Sequence, residues 1–280
     1  MREPETRQTL GGQRAVVTGG SGILGRRLAL ALAEDGATVY VGGTREESAR
    51  QAIDAALHAH PGAGDLRPRL RPLAVNVLDP ASLDAAARRV EEEGGADILV
   101  NAAGGNRPEA SVGPEQEFFD LDLGAVDEVI RLNLTGTLAA TQAFSRGMAR
   151  RGQGCIVNVA SMSGLRPLTR VVGYSASKAA LLNFTQWLAV EFAQKYGPGL
   201  RVNAISPGFF LTEQNRYLML GDQDEPTERA RRILAHTPQG RFGVPDDLVS
   251  ALRWLVSPHS AFVTGTNIPV DGGFSAFGGV

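Results

Sequence analysis

The sequence predicts an α/β protein with helices on both faces of a doubly wound, seven-stranded parallel sheet, built as a single domain. Three observations support this fold class. Short β-branched runs alternate with longer stretches of helical periodicity, which is typical of βαβ units. Several of these runs are apolar on consecutive residues, as expected for strands covered on both faces. The chain has 280 residues, 43% of them apolar, which is enough for one large core.

Strands and helices alternate along the whole chain. In the first half, the strands RAVVTG, ATVYVGG and LRPLAVNV precede the helices ILGRRLALALAEDG, REESARQAIDAALHAH and PASLDAAARRVEEEG. In the second half, the strands are DILVNAAG, GCIVNVAS, RVNAISPG and NIPVDGG. Helices are expected around Asp127 to Met148, from about Tyr174 to Tyr196, and from Thr227 to before Pro238. Ligands of such a sheet bind beyond the carboxyl ends of its strands, so a site is expected there.

Charge and composition argue against several classes of protein. Lysine and arginine total 28 against 30 acidic residues, a formal net charge of -2, so no basic face is expected for nucleic acid or anionic lipid. No run approaches the roughly 18 apolar residues that a membrane span requires. The stretch MREPETRQTLGGQ has no apolar segment of the kind found in signal peptides. We therefore expect a cytoplasmic protein.

Cysteine and histidine give no sign of a metal site. The single cysteine, Cys155, lies in the apolar run GCIVNV, so it cannot form a disulfide and is expected to be a buried small hydrophobe. Among the four histidines, His58 and His60 would lie on nearly opposite faces of a helix, and His236 and His259 are far along the chain. We expect no bound metal.

A glycine-rich turn follows the first predicted strand, in VVTGGSGILG. Gly20, Gly22 and Gly25 have the spacing G-x-G-x-x-G between a strand and a helix. Glycines at this spacing permit a tight turn and a close backbone approach, while the helix N-terminus faces a pyrophosphate. The context favours binding of a dinucleotide, and the alternative is a glycine turn with a structural role alone.

The end of the second strand bears on which dinucleotide binds. In VYVGGTRE, Thr44 and Arg45 stand where an NAD-preferring site usually holds a carboxylate for the ribose 2′-hydroxyl. A guanidinium suits the geometry of a 2′-phosphate, so NADP is favoured over NAD. The alternative is that Arg45 points into water at the start of a helix, where Glu46 and Glu47 suit the helix dipole.

A tyrosine and a lysine provide candidate acid–base chemistry in GYSASKAALLNF. Tyr174 and Lys178 are four residues apart, on one face of a predicted helix. An ammonium beside the phenol favours the phenolate, so we expect Lys178 to bring the pKa of Tyr174 nearer to neutral pH. Ser161 ends the strand IVNVAS and can donate a hydrogen bond to a substrate carbonyl.

These motifs resemble the short-chain dehydrogenase/reductase family over nearly the whole chain, from Arg14 to Gly273. They are TGGSGILG at 18–25, NAAG at 101–104, Asn133 in RLNLTG, Ser161 in VASMSG, Tyr174 and Lys178 in YSASK, PGFFLT at 207–212 and PVDGG at 269–273. The resemblance implies a Rossmann fold and a catalytic tetrad of Asn133, Ser161, Tyr174 and Lys178. In that tetrad, Tyr174 would exchange the proton and Ser161 would orient the reacting oxygen. Lys178 would bind the nicotinamide ribose, and Asn133 would hold a proton-relay water.

The resemblance also implies a set of cofactor-binding residues. They are Gly19, Ser21, Gly22, Ile23, Leu24, Gly25, Thr44, Arg45, Asn76, Val77, Asn101, Ala102, Ala103, Gly104, Tyr174, Lys178, Pro207, Gly208 and Thr212. Two positions depart from the commonest family pattern. Ile23 replaces a glycine while Gly22 supplies one nearby, and Asn76 replaces an aspartate at the adenine edge. We expect no loss of cofactor binding from either change.

Substrate selection is expected where the chain exceeds the minimal family pattern. One place is the insert after NAAGG, which begins with Asn106 and Arg107. The other is a substrate loop or lid at about 209–243, which contains Gln214, Asn215 and Arg216. Together with Ser161, these five residues are the predicted substrate contacts.

Longer motifs resemble one branch of the family, the D-mannonate oxidoreductases or fructuronate reductases. They include NAAGGN, NFTQWLAVEFA, PGFFLTEQNR, ILAHTPQGRFG and IPVDGGFSAFGGV. The branch implies a small-molecule substrate, a keto sugar acid, whose carboxylate Arg107 or Arg216 could bind and whose hydroxyls the amides could bind.

Three other functions remain open at this point. A 3-oxoacyl-carrier-protein reductase would use the same tetrad and would want a basic patch beside the cleft for its acidic partner. An epimerase or dehydratase of the extended branch would need a larger carboxyl-terminal region. A catalytically silent NADP-binding regulator would keep the fold without the chemistry. By resemblance, the chain is expected to form a homo-oligomer, a dimer or a tetramer.

Overall fold

The strand ends that were expected to form the site lie at one edge of a parallel sheet. The computed structural model describes residues 10–113, 115–211, 216–221 and 225–279. Within these residues, the strands are β1 (Arg14–Thr18), β2 (Thr38–Gly43), β3 (Leu70–Ala74), β4 (Ile98–Asn101), β5 (Gln153–Val159), β6 (Gly199–Pro207) and β7 (Asn267–Val270). Their order is β3-β2-β1-β4-β5-β6-β7, and every pairing is parallel. The predicted fold class is confirmed.

Helices connect the strands and cover both faces of the sheet. The described helices are α1 (Ile23–Glu34), α2 (Glu46–Ala59), α3 (Pro80–Glu92), α4 (Leu123–Ile130), α5 (Gly136–Arg151), α6 (Val172–Tyr196), α7 (Arg216–Met219), α8 (Glu228–Ala235) and α9 (Val249–Val256). Strand order reverses between β1 and β4, since the chain moves outward in one direction to β3 and in the other to β7. Such a reversal creates a crevice at the carboxyl ends of the two central strands.

The strands are apolar on consecutive residues because the two faces of the sheet pack into different clusters. Val17 and Val41 belong to one cluster, together with side chains of α1 and α9. Val16 and Tyr40, their neighbours in sequence, belong to the other, together with side chains of α3 and α5. Successive strand side chains point to opposite faces, so an apolar run is what a doubly covered sheet requires.

The long helix expected around Asp127 to Met148 is interrupted by a wider turn. Asp122 caps its beginning, with its carboxylate accepting hydrogen bonds from the backbone of Gly124 at 2.8 Å and Ala125 at 3.1 Å. Residues Arg131–Thr135, between α4 and α5, form one turn of π-helix. Turns of this kind are rare and frequently occur at functional sites, and this one contains Asn133.

Helix α9 is absent from the sequence-based assignment. Its buried residues Leu252 and Leu255, with Leu248 before it, repeat at helical spacing and pack against the sheet. Arg253 fixes α9 to the end of α1 through ion pairs with Glu34 at 2.7 Å and Asp35 at 2.9 Å. The pattern was detectable, but eight residues after a proline turn give a weak signal.

Burial also bears on the cysteine, membrane and metal expectations. Cys155 is 4% exposed, as expected, and burial raises its pKa to about 11. In the part of the chain that the structure describes, even the 25-residue α6 is not apolar enough to cross a bilayer. Those same residues bring no group of three histidine, cysteine or acidic side chains together for a metal ion.

Candidate active site

A cleft of about 310 Å³ opens at the carboxyl edge of the sheet, at the reversal of strand order. It brings together side chains from the ends of β1, β4, β5 and β6 and from the start of α6. The predicted residues that line it are Gly19, Gly22, Ile23, Leu24, Gly25, Ala102, Gly104, Ser161, Tyr174, Lys178, Pro207 and Gly208.

The glycine-rich turn between β1 and α1 forms one wall of this cleft. Gly19 has φ of 64°, and a Cβ there would lie 2.5 Å from the backbone nitrogen of Ala103. Gly22, the glycine that replaces the usual one at position 23, is the N-cap of α1. The helix therefore begins at the cleft, where its N–H groups and dipole favour an anion such as a pyrophosphate.

The ends of β2 and β3 hold the residues expected at the adenosine side. Thr44 and Arg45 follow β2 directly and are exposed. The backbone nitrogen of Arg45 donates to Ser48 Oγ at 3.3 Å, which fixes the start of α2. The side-chain oxygen of Asn76 accepts from the backbone of Leu78 at 3.1 Å and has a second lone pair for another donor. Val77 is buried.

Asn101, predicted as a cofactor residue, has its side chain in the protein interior. Its Nδ2 donates to Thr141 Oγ1 at 3.0 Å and to Asn158 Oδ1 at 2.9 Å. Asn158 in turn donates to Thr185 Oγ1 at 2.9 Å. These bonds link β4 and β5 to α5 and α6 beneath the cleft. Any contact of Asn101 with a cofactor would therefore use its backbone, as would those of Ala102, Ala103 and Gly104.

Ser161 and Tyr174 meet where β5 ends and α6 begins. The hydroxyl of Tyr174 shares a hydrogen bond with the side chain of Ser161. Ser161 Oγ also accepts from the backbone of Ser163 at 3.1 Å, which fixes the serine rotamer. A Cβ on Gly164 would lie 2.8 Å from the backbone carbonyl of Lys178, so glycine lets this turn approach α6 closely.

Lys178 is buried below the tyrosine ring. It is 5% exposed, and its Nζ donates to the carbonyl of Val159 at 2.8 Å. The Nζ lies 5.7 Å from the centre of the Tyr174 ring. Burial lowers the pKa of Lys178 to about 8, because desolvation disfavours the ammonium form.

The pKa of Tyr174 differs from our expectation in its direction. Burial raises this pKa above its usual value, and the hydrogen bond from Ser161 lowers it in part. Lys178 was expected to dominate, but its Nζ lies over the ring and is bound to Val159 rather than to the phenol oxygen. Tyr174 is therefore protonated at neutral pH and can act as a proton donor.

Asn133 joins the π turn to the loop after β4. Its Nδ2 donates to the carbonyls of Gly105 at 2.7 Å and Val129 at 2.8 Å, and its Oδ1 accepts from the backbone of Gly105 at 3.1 Å. The side chain is fully buried. Its polar atoms are thus engaged by the backbone, so any water bound by this residue would have to use its remaining acceptor capacity.

Of the predicted substrate residues that the structure describes, Ser161 lines the cleft, whereas Asn106, Arg107 and Arg216 do not. Asn106 donates to Ser111 Oγ at 2.9 Å, and Arg107 forms an ion pair with Glu128 on α4. Arg216 is exposed at the start of α7. Thr212, Gln214 and Asn215 lie outside the described residues.

A second cavity, which the sequence analysis did not anticipate, adjoins the cleft. We call it the basic recess. It has a volume of about 800 Å³ and lies between the loop 166–170, α8 and the carboxyl-terminal segment. Its charged and ring-bearing lining consists of Arg166, Arg170, Arg229, Arg232, Glu228, His236, Phe209, Phe274 and Phe277. Phe209 also lines the cleft, so the two cavities share a wall.

A signal for the recess was present in the sequence. The stretch RPLTR lies between Ser161 and Tyr174, whose convergence confines it to the neighbourhood of the cleft. The lid segment contains ERARRILAH, whose arginines face several directions on one short helix.

Comparison with known proteins places this geometry among related oxidoreductases. A family model described as enoyl-(acyl carrier protein) reductase matches residues 19–275. An uncharacterized oxidoreductase of Bacillus subtilis is 41% identical, over 98% of this chain and 98% of its own length. A 3-oxoacyl-[acyl-carrier-protein] reductase of Vibrio cholerae is 35% identical, over 94% of this chain and 98% of its own length. The crystal structure of a candidate D-mannonate oxidoreductase from Haemophilus influenza, with bound NAD, is 37% identical with a TM-score of 0.86, over 97% of this chain and 98% of that one.

Proposed function

Because the chain belongs to the short-chain dehydrogenase/reductase family of oxidoreductases, we propose that it interconverts a keto sugar acid and the corresponding hydroxy acid, with NAD(P) as cofactor. The best-supported pair is D-fructuronate and D-mannonate. The observation that carries the proposal is the meeting of Ser161, Tyr174 and Lys178 at the cleft beside the glycine turn. Tyr174 is the general acid or base, and Ser161 orients the reacting oxygen.

The backbone of the protein around the cleft is suited to binding a dinucleotide. Gly19 lets the turn after β1 lie against the loop after β4, because a Cβ there would be 2.5 Å from the backbone nitrogen of Ala103. Helix α1 begins at the same cleft with Gly22 as its N-cap. The proposed cofactor residues are Gly19, Ser21, Gly22, Ile23, Leu24, Gly25, Thr44, Arg45, Asn76, Val77, Asn101, Ala102, Ala103, Gly104, Pro207, Gly208 and Thr212, with Tyr174 and Lys178 at the nicotinamide end. When bound, the nicotinamide supplies or accepts the hydride. NADP is favoured over NAD because Arg45, not a carboxylate, follows β2.

Each catalytic side chain has a distinct part in the proton transfer. Tyr174 gives its proton to the carbonyl oxygen during reduction, and its raised pKa keeps that proton in place at neutral pH. Ser161 donates to the same oxygen and holds the phenol at the correct distance. The ammonium of Lys178 stabilises the phenolate that remains, since its charge lies under the tyrosine ring. Asn133 fixes the loop after β4 against the cleft.

The acidic sugar is supported by two observations of different kinds. The Haemophilus protein that this chain resembles is named for D-mannonate. The segment 209–243, proposed as a lid, is joined to the cleft by Phe209, whose carbonyl accepts from Gly243 at 2.9 Å. Beyond Phe209 lies the basic recess, which is suited to an anionic group.

A 3-oxoacyl-carrier-protein reductase is the second candidate, because the same arginines could meet an acidic carrier protein. A relative of that activity is 35% identical to this chain. The arginines line a recess that shares Phe209 with the cleft, however, so a small anion bound there could belong to the same molecule as the reacting ketone. If the protein were a catalytically silent NADP-binding regulator, the pairing of Ser161 with Tyr174 at the cleft would have no catalytic role.

We also propose that the protein forms a homo-oligomer. Helices α5 and α6 present an apolar groove that includes Trp187 and Tyr196. Trp187 is 57% exposed, as is Val190 nearby. Exposed apolar side chains clustered on one long helix, beside an apolar groove, are typical of a subunit contact. A sedimentation or light-scattering mass that equals the monomer would contradict this.

A panel of substrates tests the proposal. The purified protein is mixed with NADPH or NADH and with D-fructuronate, neutral ketoses, or a 3-oxoacyl thioester, and the loss of absorbance of the reduced nicotinamide is followed. We expect turnover of the keto sugar acid. Turnover of the thioester alone would favour the second candidate, and no turnover of any carbonyl would favour the regulator.

A further inference from the structure

We infer that Arg170 and Arg229 bind the carboxylate of the substrate in the basic recess. This inference rests on the proposed function, because it assumes a substrate that carries both a ketone and a carboxylate. It assigns carboxylate recognition to two residues that the sequence analysis did not name, in place of Arg107 and Arg216.

The charges around the recess leave these two arginines without a counter-charge. The described lining contains four arginines and one carboxylate, that of Glu228. Glu228 is paired with Arg232 at 2.6 Å, and Arg166 donates to the carbonyl of Ser275 at 3.3 Å. Within the described part of the chain, Arg170 and Arg229 form no ion pair. An anion is therefore the chemical group that this recess lacks.

The two guanidinium groups come from different elements and repel each other. Arg170 belongs to the loop before α6, and Arg229 to the first turn of α8. Burial and, secondarily, the charge of Arg170 lower the pKa of Arg229. Arg229 is partly buried and Arg170 is exposed, so the second positive charge further disfavours the charged form of Arg229 unless an anion binds between the two groups. Guanidinium groups suit a carboxylate, since they can bind both oxygens at once.

The backbone of Arg170 is held in an unfavourable conformation. Among the described residues, it is the one non-glycine residue in the left-handed region, with φ of 75°. This conformation costs roughly 1–2 kcal/mol for a residue with a Cβ. Its carbonyl accepts from the backbone of Val112 at 2.9 Å, and Val112 belongs to the insert after the NAAGG loop. The insert is thus hydrogen-bonded to the backbone of Arg170 at the recess.

The position of the recess suits the chemistry of the sugar acid. In D-fructuronate, three hydroxyl-bearing carbons separate the ketone from the carboxylate. The carboxylate must therefore lie away from Tyr174 when the ketone is at Tyr174. Phe209 lines both the cleft and the recess, and the chain from Ser161 to Tyr174 passes through Arg170. The two cavities are therefore adjacent, as binding of one extended substrate in both of them requires.

The arginines named from the sequence are less suited to this role. Arg107 is already paired with Glu128 on α4. Arg216 belongs to neither the cleft lining nor the recess lining. Arg170 and Arg229, by contrast, line a cavity next to the catalytic residues.

Charge-removing variants with a matched control test the inference. Arg229→Gln and Arg170→Gln remove the two charges, whereas Arg231→Gln removes one from the same helix α8, where its guanidinium donates to the carbonyl of Pro226 at 2.6 Å. Steady-state reduction is measured with D-fructuronate and with D-fructose, which carries a hydroxymethyl group in place of the carboxylate. We expect each of the first two variants to raise KM for D-fructuronate roughly tenfold or more. KM for D-fructose should not change, and Arg231→Gln should change neither value.

Two further measurements separate this inference from the proposed function. Calorimetry of D-mannonate binding to the protein saturated with reduced cofactor reports binding without turnover, and Arg229→Lys should restore part of the affinity lost in Arg229→Gln. If D-fructuronate is reduced but both glutamine variants keep the wild-type KM, the inference fails and the proposed function stands. If D-mannonate binding depends on the arginines but nothing is reduced, the inference stands and the proposed function fails. A loss confined to acyl carrier protein substrates would make the recess a protein-docking site and overturn the inference.

Discussion

The side chain of Asn133 forms a pair of hydrogen bonds with the backbone of Gly105, donating to its carbonyl at 2.7 Å and accepting from its N–H at 3.1 Å. The pair joins the π turn between α4 and α5 to the loop that follows β4. This loop lines the cleft. Its position there depends on the side chain of Asn133, which belongs to another element. An asparagine suits this position because its amide can both donate to and accept from the loop backbone, which holds the loop in place.

Asn133→Ala should destabilise the protein and loosen the loop. One buried and two partly buried hydrogen bonds are lost, and backbone groups of Gly105 and Val129 lose their partner, so we expect the free energy of unfolding to fall by about 2–3 kcal/mol. Urea denaturation measures the fall. Asn106→Ala is the matched control, since Asn106 is an exposed asparagine of the same loop, and it should have little effect. Equal stability of the two variants would contradict the role given to Asn133.

Lys178→Met should remove turnover without a comparable loss of stability. Below about pH 8, the folded protein holds Lys178 as a buried ammonium. The fall of its pKa from 10.5 to about 8 corresponds to a net cost of roughly 3 kcal/mol in the free energy of folding. The folded pKa is lower than the unfolded one, so the unfolded state binds more protons between about pH 8 and 10.5. In that window, Lys178 makes the free energy of unfolding rise with pH.

Urea denaturation at pH 7, 9 and 10 checks this expectation. The variant should lack the part of the rise that Lys178 contributes, and at pH 7 it should be no less stable than wild type by more than about 1 kcal/mol. A much larger loss at pH 7 would mean that Lys178 supports the fold rather than the chemistry.

Gly19→Ala should damage the fold at the cofactor turn. The new Cβ would lie 2.5 Å from the nitrogen of Ala103 and would occupy a backbone with φ of 64°. We expect a loss of about 2 kcal/mol or more in the free energy of unfolding, together with weaker binding of the reduced cofactor by fluorescence titration. Gly105→Ala is the control for stability, because a Cβ there meets nothing within 4 Å. If both variants unfold at the same urea concentration, the close approach of the turn after β1 to the loop after β4 does not contribute to stability.

Arg45→Ala should weaken the binding of NADPH far more than the binding of NADH. Arg45 is exposed directly after β2, and loss of a charge-assisted bond to a 2′-phosphate reduces affinity roughly tenfold. Arg50→Ala is the matched control, since Arg50 lies in α2, the helix of which Arg45 is the N-cap, and is paired with Glu46 at 2.8 Å. Titration of each variant with both cofactors gives the ratio of the dissociation constants for NADPH and NADH. An equal effect on NADPH and NADH would show that Arg45 does not read the phosphate.

Local sequence patterns were sufficient to predict the sheet and the convergence of Ser161, Tyr174 and Lys178 at one cleft. The strands are continuous apolar runs with clear ends, and the Tyr174–Lys178 spacing fixes one helical face regardless of tertiary structure. Ser161 could be placed because the end of β5 must lie at the same edge as the other strand ends. Helix α9 was missed because eight residues give too little periodicity to distinguish a helix from a turn-rich segment.

The rest of the site depends on contacts between segments that are distant in sequence. Nothing local shows that the amide of Asn133 meets Gly105, because the contact requires a π turn. The basic recess has the same character, since Arg170 and Arg229 become neighbours only when α8 packs beside the loop before α6. Nothing in the sequence indicated that Arg107 is paired, because its partner Glu128 lies in a different element further along the chain.

The central claim is that Tyr174 provides the proton when a keto sugar acid is reduced. Tyr174→Phe removes the hydroxyl and keeps the ring over Lys178, and its single-turnover reduction of D-fructuronate by bound NADPH or NADH tests that claim most directly. We expect the rate to fall by roughly a hundredfold or more while the affinity for reduced cofactor stays close to that of wild type. A variant that binds the cofactor normally and reduces D-fructuronate at the wild-type rate would contradict the claim.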